Sequence, residues 1–306
     1  MHVLVTGNVN VDVLMGNLAP WPKQGSEVIV DHYQLRVGGS LGNTALALDA
    51  LGVEAEYFAN VGSDALGTWL HDELARHGCP LTRSPGPAAL TVGLTHPDGE
   101  RTFITHEGHF GAFDVDPLRR AVQNLSPNDI FLLSGYFLVP SLRGVALELC
   151  SIVKEKGGRV LLDTGWPSEG WTPAVRSEVT TLLTHCDFFL PNREELLGLT
   201  LHKGVQSGLE KAGKWFGGRT VVKLGEKGAS FLENRRRVFA PAPTVEVVDT
   251  VGAGDTFNAG FIYALWEGLS IHEAIRVAVL AASTAVGSLP RRYATPGEVV
   301  GGDLVS

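Results

Sequence analysis

The stretch VDTVGAGDTFNAG, residues 248–260, decides the fold of this chain. It joins residues 245–248, whose valines predict the end of a strand, to an apolar pattern that predicts a helix ending near Gly268. A turn with two glycines at a helix start exposes backbone N–H groups, and these amides and the helix dipole favour an anion. Asp255 adds a carboxylate in the first helical turn, so donors for a phosphate and a base for a hydroxyl would lie side by side. The alternative is a turn in which Asp255 only caps the helix, and this stretch alone leaves both interpretations open.

Composition indicates a globular protein that does not bind nucleic acids or membranes. The chain has 306 residues, of which 44% are hydrophobic and 19% charged, and its formal net charge is -8. This acidic balance argues against a nucleic-acid groove or a membrane surface as the main partner. No signal peptide is recognisable, and the three scattered cysteines fit reduced thiols. We therefore expect a cytoplasmic protein with a single domain over residues 1–306.

The beginning of the chain combines a predicted strand with a carboxylate. Residues 2–6 form a short apolar run typical of a buried parallel strand, and residues 7–12 lack the G-x-G-x-x-G fingerprint of dinucleotide-binding folds. Asp12 would follow the carboxyl end of this strand, where open α/β sheets bind ligands. A carboxylate there can accept hydrogen bonds from sugar hydroxyls. The alternative for Asp12 is an acid in a surface turn.

Two segments show strand-like alternation without the helix that a βαβ unit needs. The first covers about residues 13–37, with strand patterns at residues 27–30 and 33–37. The second covers about residues 91–106, with strand patterns at residues 92–95 and 101–105 around a Pro97-Asp98-Gly99 turn. These patterns predict a small antiparallel sheet that stands off the main domain.

Between these segments, Gly38 and Gly39 precede an Ala- and Leu-rich helical pattern that ends near Gly52. The two glycines let the backbone approach a ligand closely. Asn43, at the start of the predicted helix, would either cap that helix or direct its amide at a substrate hydroxyl.

The rest of the chain alternates strands and helices, which predicts a parallel sheet with helices on both faces. The predicted strands are residues 130–133, 160–162, 188–190 and 220–224. The predicted helices are residues 142–156, 173–184 and 205–216.

Polar residues stand at the carboxyl ends of three of these strands. Asp163 follows the second strand, Asn192 and Glu195 follow the third, and Lys223 lies at the end of the fourth. Such residues meet at one edge of a parallel sheet, where ligands bind in these folds. Asn192 and Glu195 would either share a hydrated magnesium ion or form the N-terminal capping box of a helix, and their spacing fits both.

Two motifs give nearly the whole chain a resemblance to the ribokinase, or PfkB-type, family of carbohydrate and nucleoside kinases. The first is Gly38-Gly39-Ser40-Leu41-Gly42-Asn43, followed by Gly52 and Gly62. The second and highly specific motif is Asp249-Thr250-Val251-Gly252-Ala253-Gly254-Asp255. The resemblance implies a three-layer α/β/α core with a mostly parallel sheet, and a small antiparallel β-sheet lid through which a homodimer would form. It also implies phosphorylation of a primary hydroxyl of a sugar, with ATP and Mg²⁺ as cofactors.

The resemblance assigns a role to each matching residue. Asp255 matches the general base, and the anion hole is matched by Gly252, Ala253 and Gly254. The positions that hold the sugar are Asp12, Gly38, Gly39, Asn43 and, in the lid, Arg101. The positions near the nucleotide are Asn192, Lys223, Gly225, Gly228, Gly252 and Gly254, with Asn192 and Glu195 as the pair that contacts magnesium through water. A site for a monovalent cation such as K⁺ at Asp249 and Thr250 is left open.

Departures from the family pattern concern the substrate and this cation. Ser134-Gly135-Tyr136 stands where ribokinases have a glutamate, and residues 287–292 lack the pattern that accompanies cation sites in potassium-activated members. A nucleoside kinase is therefore the first alternative, with Trp21 of the lid as a candidate cover for a base. A catalytically silent sugar-binding sensor is the second.

Overall fold

The structure is a computed structural model that describes residues 1–16, 18, 21–96 and 101–300, with only the backbone of Arg101. The strands are β1 (Val3–Thr6), β2 (Asn10–Met15), β3 (Tyr33–Gly38), β4 (Glu56–Phe58), β5 (Asn60–Val61), β6 (Thr82–Arg83), β7 (Leu90–Thr95), β8 (Arg101–His106), β9 (Ile130–Leu133), β10 (Arg159–Leu162), β11 (Phe188–Phe189), β12 (Arg219–Thr220), β13 (Val222–Lys223), β14 (Ala229–Glu233) and β15 (Arg236–Ala240). The helices are α1 (Ser40–Ala50), α2 (Ala65–Ala75), α3 (Asp116–Gln123), α4 (Pro140–Glu155), α5 (Pro173–Leu183), α6 (Arg193–Thr200), α7 (Val205–Ala212), α8 (Ala253–Trp266), α9 (Ile271–Val286) and α10 (Pro296–Val300).

Six parallel strands form the central sheet in the order β12-β11-β10-β9-β1-β4. Strands β1 and β9 are buried along their whole length, because helices cover both faces of the sheet. Alternate side chains of β1 enter two different cores: Val3 and Val5 pack with α1, α2, α8 and α9, whereas Leu4 packs with α3, α4 and α5. The predicted mostly parallel sheet between two helical layers is confirmed.

A separate four-stranded sheet in the order β3-β2-β7-β8 forms the lid. Strand β2 runs antiparallel to β3, and β7 antiparallel to β8, while the two central strands of this sheet are parallel. The predicted separate small sheet is confirmed, but its central pair of strands is parallel, and the strand expected at residues 27–30 is wrong. These residues form no strand. Ile29 is 89% exposed, so strand formation there would not bury its side chain against an apolar surface. The Pro97-Asp98-Gly99 turn lies outside the described residues.

The segment before the glycine turn also differs from the prediction. Residues 245–248 form no strand, and Val247 is 59% exposed because this segment lies on the surface, after two prolines that interrupt strand pairing. The backbone N–H groups of Val248 and Asp249 instead donate to the carbonyl of Val286, at 3.0 and 3.1 Å. The turn is therefore anchored to the end of α9 and not to a neighbouring strand.

The last predicted strand, residues 220–224, divides at Val221. Its first part is β12 of the central sheet, and its second part, β13, begins an antiparallel sheet in the order β13-β14-β15. Strands β5 and β6 form a further short parallel pair. Among the helices that the structure describes, none is long and apolar enough to cross a membrane.

Candidate active site

A pocket opens at the carboxyl ends of the central strands, under the lid. Its wall includes five residues that the sequence proposes as site residues, which are Asp12, Gly39, Asn43, Gly252 and Asp255. Three aromatic side chains, Phe103, Phe137 and Trp166, line another part of the same pocket. The pocket thus joins a polar wall, a glycine turn and an aromatic wall.

Asp255 is the third residue of α8 and does not cap that helix. The residue before the helix is Gly252, and no side chain accepts a capping hydrogen bond there. The Oδ2 atom of Asp255 instead accepts a hydrogen bond from Nδ2 of Asn43, at 2.9 Å, across the interface between α8 and α1. The capping interpretation of Asp255 is therefore wrong, and its carboxylate lies on the pocket wall.

The surroundings of Asp255 favour its protonated form in the unliganded protein. Burial and the negative charge of Asp163 raise the pKa of Asp255 to about 8, while Lys223 and Asn43 act in the opposite direction. A carboxylate whose pKa lies near neutral pH is a much stronger base than an ordinary aspartate. The electrostatics of the pocket thus suit proton uptake by Asp255.

The glycine turn is shaped by a left-handed residue. Gly252 has φ 77°, a conformation that L side chains rarely adopt, and a Cβ atom there would lie 2.7 Å from the side chain of Asn43. Ala253 N donates to Thr250 O at 3.2 Å, which closes the turn. Because α8 begins at Ala253, the amides of its first turn and its dipole favour an anion at this end.

Lys223 supplies a positive charge next to this turn. A Cβ atom at Gly254 would lie 3.3 Å from Nζ of Lys223, and Nζ donates to Oδ2 of Asp163 at 2.7 Å. Asn258 of α8 donates to the same oxygen at 2.6 Å. Burial lowers the pKa of Lys223, but Asp163 and Glu195 raise it more, so the ammonium group stays charged.

Asn192 and Glu195 form the capping box that their spacing allows. Oδ1 of Asn192 accepts from the amide of Glu195, and Oε2 of Glu195 accepts from the amide of Asn192, both at 2.8 Å. Glu195 is 5% exposed, and burial and Asp163 raise its pKa to about 7. The box leaves the magnesium interpretation untested, because a residue in a capping box keeps further oxygen lone pairs.

The polar wall is built around Asp12, which lies inside strand β2 and not in a turn. Asp12 is 5% exposed, so the interpretation as a surface acid is wrong. Nδ2 of Asn10 donates to Oδ1 of Asp12 at 2.7 Å, and Nδ2 of Asn8 donates to Asn10 at 3.2 Å. Burial raises the pKa of Asp12, and Arg36 opposes this effect. A Cβ atom at Gly38 would lie 2.3 Å from this carboxyl group, so a larger residue there would displace the side chain of Asp12.

Asn43 is not the cap of α1. The helix begins at Ser40, which places Asn43 one turn inside it, where Nδ2 reaches both Asp255 and the carbonyl of Gly39. The partners that sequence reasoning missed are Asn8, Asn10 and Asn258. The sequence could have indicated the first two, because they precede Asp12 at intervals of two residues, and such residues of an extended segment lie on the same face.

Other predicted site residues lie apart from this pocket. Gly225 and Gly228 belong to the turn between β13 and β14, and a Cβ atom at Gly228 would lie 2.0 Å from the carbonyl of Ala240, so this glycine is required by packing. Their role near a nucleotide is not tested. The side chain of Arg101 lies outside the described residues.

Asp249 lies behind the glycine turn, where its carboxylate meets two arginines. Nη1 of Arg36 and Nη2 of Arg291 both donate to Oδ2 of Asp249, the latter at 2.6 Å. Oδ1 of Asp249 accepts from the backbone N–H of Val251 at 3.0 Å. Thr250, the other residue of the proposed cation site, is exposed.

Comparisons with known proteins agree with this architecture. The family described as "pfkB family carbohydrate kinase" matches residues 2–295. The ribokinase of Haemophilus influenzae is 27% identical over 306 residues, which cover 95% of this chain and 96% of that protein. The structure of Arabidopsis thaliana ribokinase complexed with ribose and ATP is similar with a TM-score of 0.81 and 28% identity, covering 98% of this chain and 97% of that one. Adenosine kinase from Sinorhizobium meliloti is similar with a TM-score of 0.79 and 26% identity, covering 96% and 94%.

Proposed function

The chain belongs to the pfkB family of carbohydrate kinases, and from this premise we propose that it transfers the γ-phosphoryl group of ATP to a primary hydroxyl of a sugar. One observation carries the proposal: the carboxylate of Asp255 lies between the glycine turn at the start of α8 and the polar wall around Asn43 and Asp12. A hydroxyl held by the polar wall would face a base, and a phosphoryl group would face the turn.

Asp255 accepts the proton of the attacking hydroxyl in this proposal. As the oxygen bonds to the γ-phosphorus, the proton moves to Asp255 and ADP departs with the electron pair of the broken bond. The amides of residues 252–254 and the ammonium group of Lys223 stabilise the charge on the transferring group. Asp12 and Asn43 hold neighbouring hydroxyls, and Gly38 and Gly39 allow the sugar to approach the backbone.

Magnesium fits the chemistry of the residues near Lys223. Asp163, Glu195 and Asp255 place three carboxyl groups near one lysine, and burial together with the negative charge of Asp163 raises the pKa of Glu195 and Asp255. The described residues contain no group of three or more His, Cys, Asp or Glu side chains that could hold a metal ion. Magnesium commonly keeps several waters and binds substrate phosphates through few protein ligands. Asn192 and Glu195 would contact it through water. When bound, magnesium neutralises phosphate charge.

The aromatic wall supports the nucleoside alternative more than the sugar proposal. Phe103 of the lid is 49% exposed and Trp166 is 55% exposed, and such rings would stack on a flat base. Trp21, the residue suggested by the sequence, instead stacks on His96 with ring centroids 5.8 Å apart. If the substrate is a nucleoside, Phe103 and Trp166 therefore replace Trp21 as the candidates to cover its base.

A comparison of acceptors tests the proposal and its rivals. ADP release would be measured with ATP and Mg²⁺ in the presence of D-ribose, D-fructose or adenosine, and without an acceptor. We expect turnover with at least one free sugar. Turnover confined to adenosine would replace the sugar proposal by the nucleoside alternative. Tight sugar binding by calorimetry without any ADP release would establish the silent sensor.

The lid also has a surface suited to the proposed homodimer. Val13, Leu35, Val92 and Ile104 are paired across its four strands, and they point away from the face that carries Asp12 and Phe103. Ile104 is 57% exposed. Ile104→Lys should convert a dimer to a monomer in light scattering, whereas Val247→Lys, at a site 59% exposed outside the lid, should not. A wild-type monomer would refute the proposed dimer.

The proposed enzyme, a single catalytic domain with this lid, would act in the cytoplasm, where ATP is available.

A further inference from the structure

Arg36, Asp249 and Arg291 form a buried charge cluster behind the glycine turn. The side chains of Arg36 and Arg291 are 10% and 8% exposed, and both guanidinium groups donate to the same carboxylate oxygen. Burial alone would raise the pKa of Asp249, but Arg291 and Arg36 lower it more, so this group stays ionised. The cluster thus brings two cations to one carboxylate oxygen.

The donor set at Asp249 does not fit a monovalent metal ion. Such an ion is held by oxygen atoms, whereas here Oδ2 already accepts from two guanidinium groups. Nη2 of Arg291 also approaches the carbonyl oxygen of Asp249, at 3.5 Å. A further cation at this carboxylate would be repelled by both arginines, because charges in a buried site are poorly screened.

We propose that Arg36 and Arg291 hold the glycine turn in place of a monovalent cation, so that this chain needs no K⁺ for phosphoryl transfer. The inference rests on the proposed function. The arginines hold the Asp249 carboxylate, Asp249 holds the N–H of Val251, and Val251 and Gly252 line the pocket. Arg36 and Arg291 are therefore positioning residues that act through Asp249.

The two arginines tie the turn to distant parts of the chain. Arg36 belongs to lid strand β3 and lies opposite Asp12 of β2, with Nε 3.7 Å from Oδ2 of Asp12. Arg291 belongs to the segment between α9 and α10. A metal ion exchanges with solvent, so a turn held by an ion depends on salt composition. A covalently attached guanidinium group does not exchange, so the turn keeps its shape without K⁺.

Potassium dependence of the wild-type chain and of Arg291→Ala tests the proposal. In a buffer whose only monovalent cation is tetramethylammonium, wild-type turnover should stay within ~2-fold of its value in K⁺. Arg291→Ala should lose ~10²-fold in kcat with little change in the KM for the sugar, as when a transition-state donor is misplaced. K⁺ or guanidinium should bind in the vacated space and raise the kcat of this variant at least ~10-fold.

Arg292→Ala is the matched control. Arg292 is the adjacent arginine, it is 58% exposed, and it pairs with Glu298 at the surface. This variant should keep wild-type kcat in both salts. A wild-type enzyme that K⁺ activates more than ~10-fold overturns the proposal. So does an Arg291→Ala enzyme whose turnover no cation restores, because that result indicates a purely structural role.

A melting experiment without substrates separates this inference from the proposed function. The unfolding midpoint of Arg291→Ala should be higher in K⁺ than in tetramethylammonium, whereas the wild-type midpoint should be the same in both. Equal responses of the two proteins overturn the inference even if the chain is an active kinase. Absence of wild-type turnover with every acceptor counts against the proposed function alone. If Arg291→Ala does not fold, Arg291→Lys keeps a cation in place and should be active without K⁺; a K⁺ requirement in that variant overturns the proposal.

Discussion

The starts of α1 and α8 share a glycine with a positive φ but differ in the groups that surround it. Both helices follow a glycine with a positive φ, Gly39 with φ 86° and ψ 155° and Gly252 with φ 77° and ψ 4°, and neither helix start has a side-chain cap. At α1, Asn8 covers the turn: its side chain accepts from the hydroxyl of Ser40 at 2.8 Å, and its carbonyl accepts from the amide of Leu41 at 3.1 Å. At α8, the pocket and the ammonium group of Lys223 lie beside the turn.

The difference shows that a positive-φ glycine before a helix does not by itself leave the amides of the helix start open to a ligand. Both turns line the pocket, but Asn8 accepts hydrogen bonds from the hydroxyl and amide donors at the first turn, whereas the ammonium group of Lys223 lies beside the second. The contact between Asn43 and Asp255 joins the two starts, so each turn influences the other. Mutations at the two glycines should therefore separate packing from catalysis.

Removal of the carboxylate at α8 should have the largest effect. Asp255→Asn should reduce turnover by at least ~10²-fold, the scale for loss of a general base. Burial and Asp163 raise the pKa of Asp255, so ionised Asp255 costs stability as the pH rises through about 8. The variant should consequently unfold at the same temperature as the wild type or higher in alkaline buffer. ADP release and circular dichroism measure both effects.

Asp72→Asn is the control for this variant, because Asp72 is an acid on α2 that is 61% exposed. It should leave turnover and stability unchanged. Near-normal turnover of Asp255→Asn would show that Asp255 is not the base. The start of α8 would then differ from the start of α1 in its surroundings but not through a catalytic carboxylate.

A methyl group at the α8 turn should reduce turnover more than stability. In Gly252→Ala, the new Cβ would lie 2.7 Å from Asn43 and would displace the turn that lines the pocket, so we expect ~10²-fold lower kcat. Gly268→Ala has a similar φ of 74° at the other end of α8, where a Cβ meets no atom within 4 Å. Its kcat should be normal. Equal kcat values in the two variants would mean that the α8 turn contributes only backbone conformation.

The matching change at α1 should reduce stability, and it should also weaken sugar binding because Gly39 lines the pocket. In Gly39→Ala, a Cβ would lie 2.4 Å from the carbonyl oxygen of Asn8, a backbone atom that cannot rotate away. We expect a loss of at least ~2 kcal/mol in the free energy of unfolding, from left-handed strain and overlap together. Gly52→Ala, with φ 71° and no neighbour within 4 Å, should lose about 1 kcal/mol from strain alone. Urea denaturation measures both losses, and identical values would contradict the packing role of Asn8.

The smallest expected effect is a shift in pH dependence. Because the proposed base is the ionised form of Asp255, kcat/KM should rise with pH up to about 8 and then level off. Asp163→Asn removes a negative neighbour but keeps an oxygen for Lys223 and Asn258, so the pKa of Asp255 falls and the rise should move down by up to about one pH unit. Glu194→Gln, at a site 61% exposed, should not move it. If kcat/KM of Asp163→Asn rises at the same pH as that of the wild type, the rise reports the ionisation of a group other than Asp255.

Much of the fold was predictable because its signals are local. Strand and helix periodicity at residues 130–224 predicted the parallel sheet, and the absence of helices in two segments predicted the lid. Local patterns misled where the neighbours decide the outcome. Residues 27–30 and 245–248 have the composition of strands, but they form none because no apolar surface covers them.

The candidate site was predictable in its residues more than in its contacts. Asp12, Asn43 and Asp255 were identified from motifs, and the pocket includes all three. The same motifs could not show that Asn43 bonds Asp255 across 212 positions of sequence, or that Asp12 lies in a lid strand. Nor could they show that Arg36 and Arg291 meet at Asp249, because neither arginine belongs to a recognisable pattern.

The sequence by itself determined the type of each main element, the glycine turns and the presence of Asp255 at the start of a helix, since periodicity, glycine and capping chemistry act over a few residues. Only the tertiary structure decided which glycine turn is covered by Asn8 and which lies beside Lys223. It also decided that burial and Asp163 make Asp255 basic. These properties depend on distances between residues that are remote in the chain, and local patterns do not encode such distances.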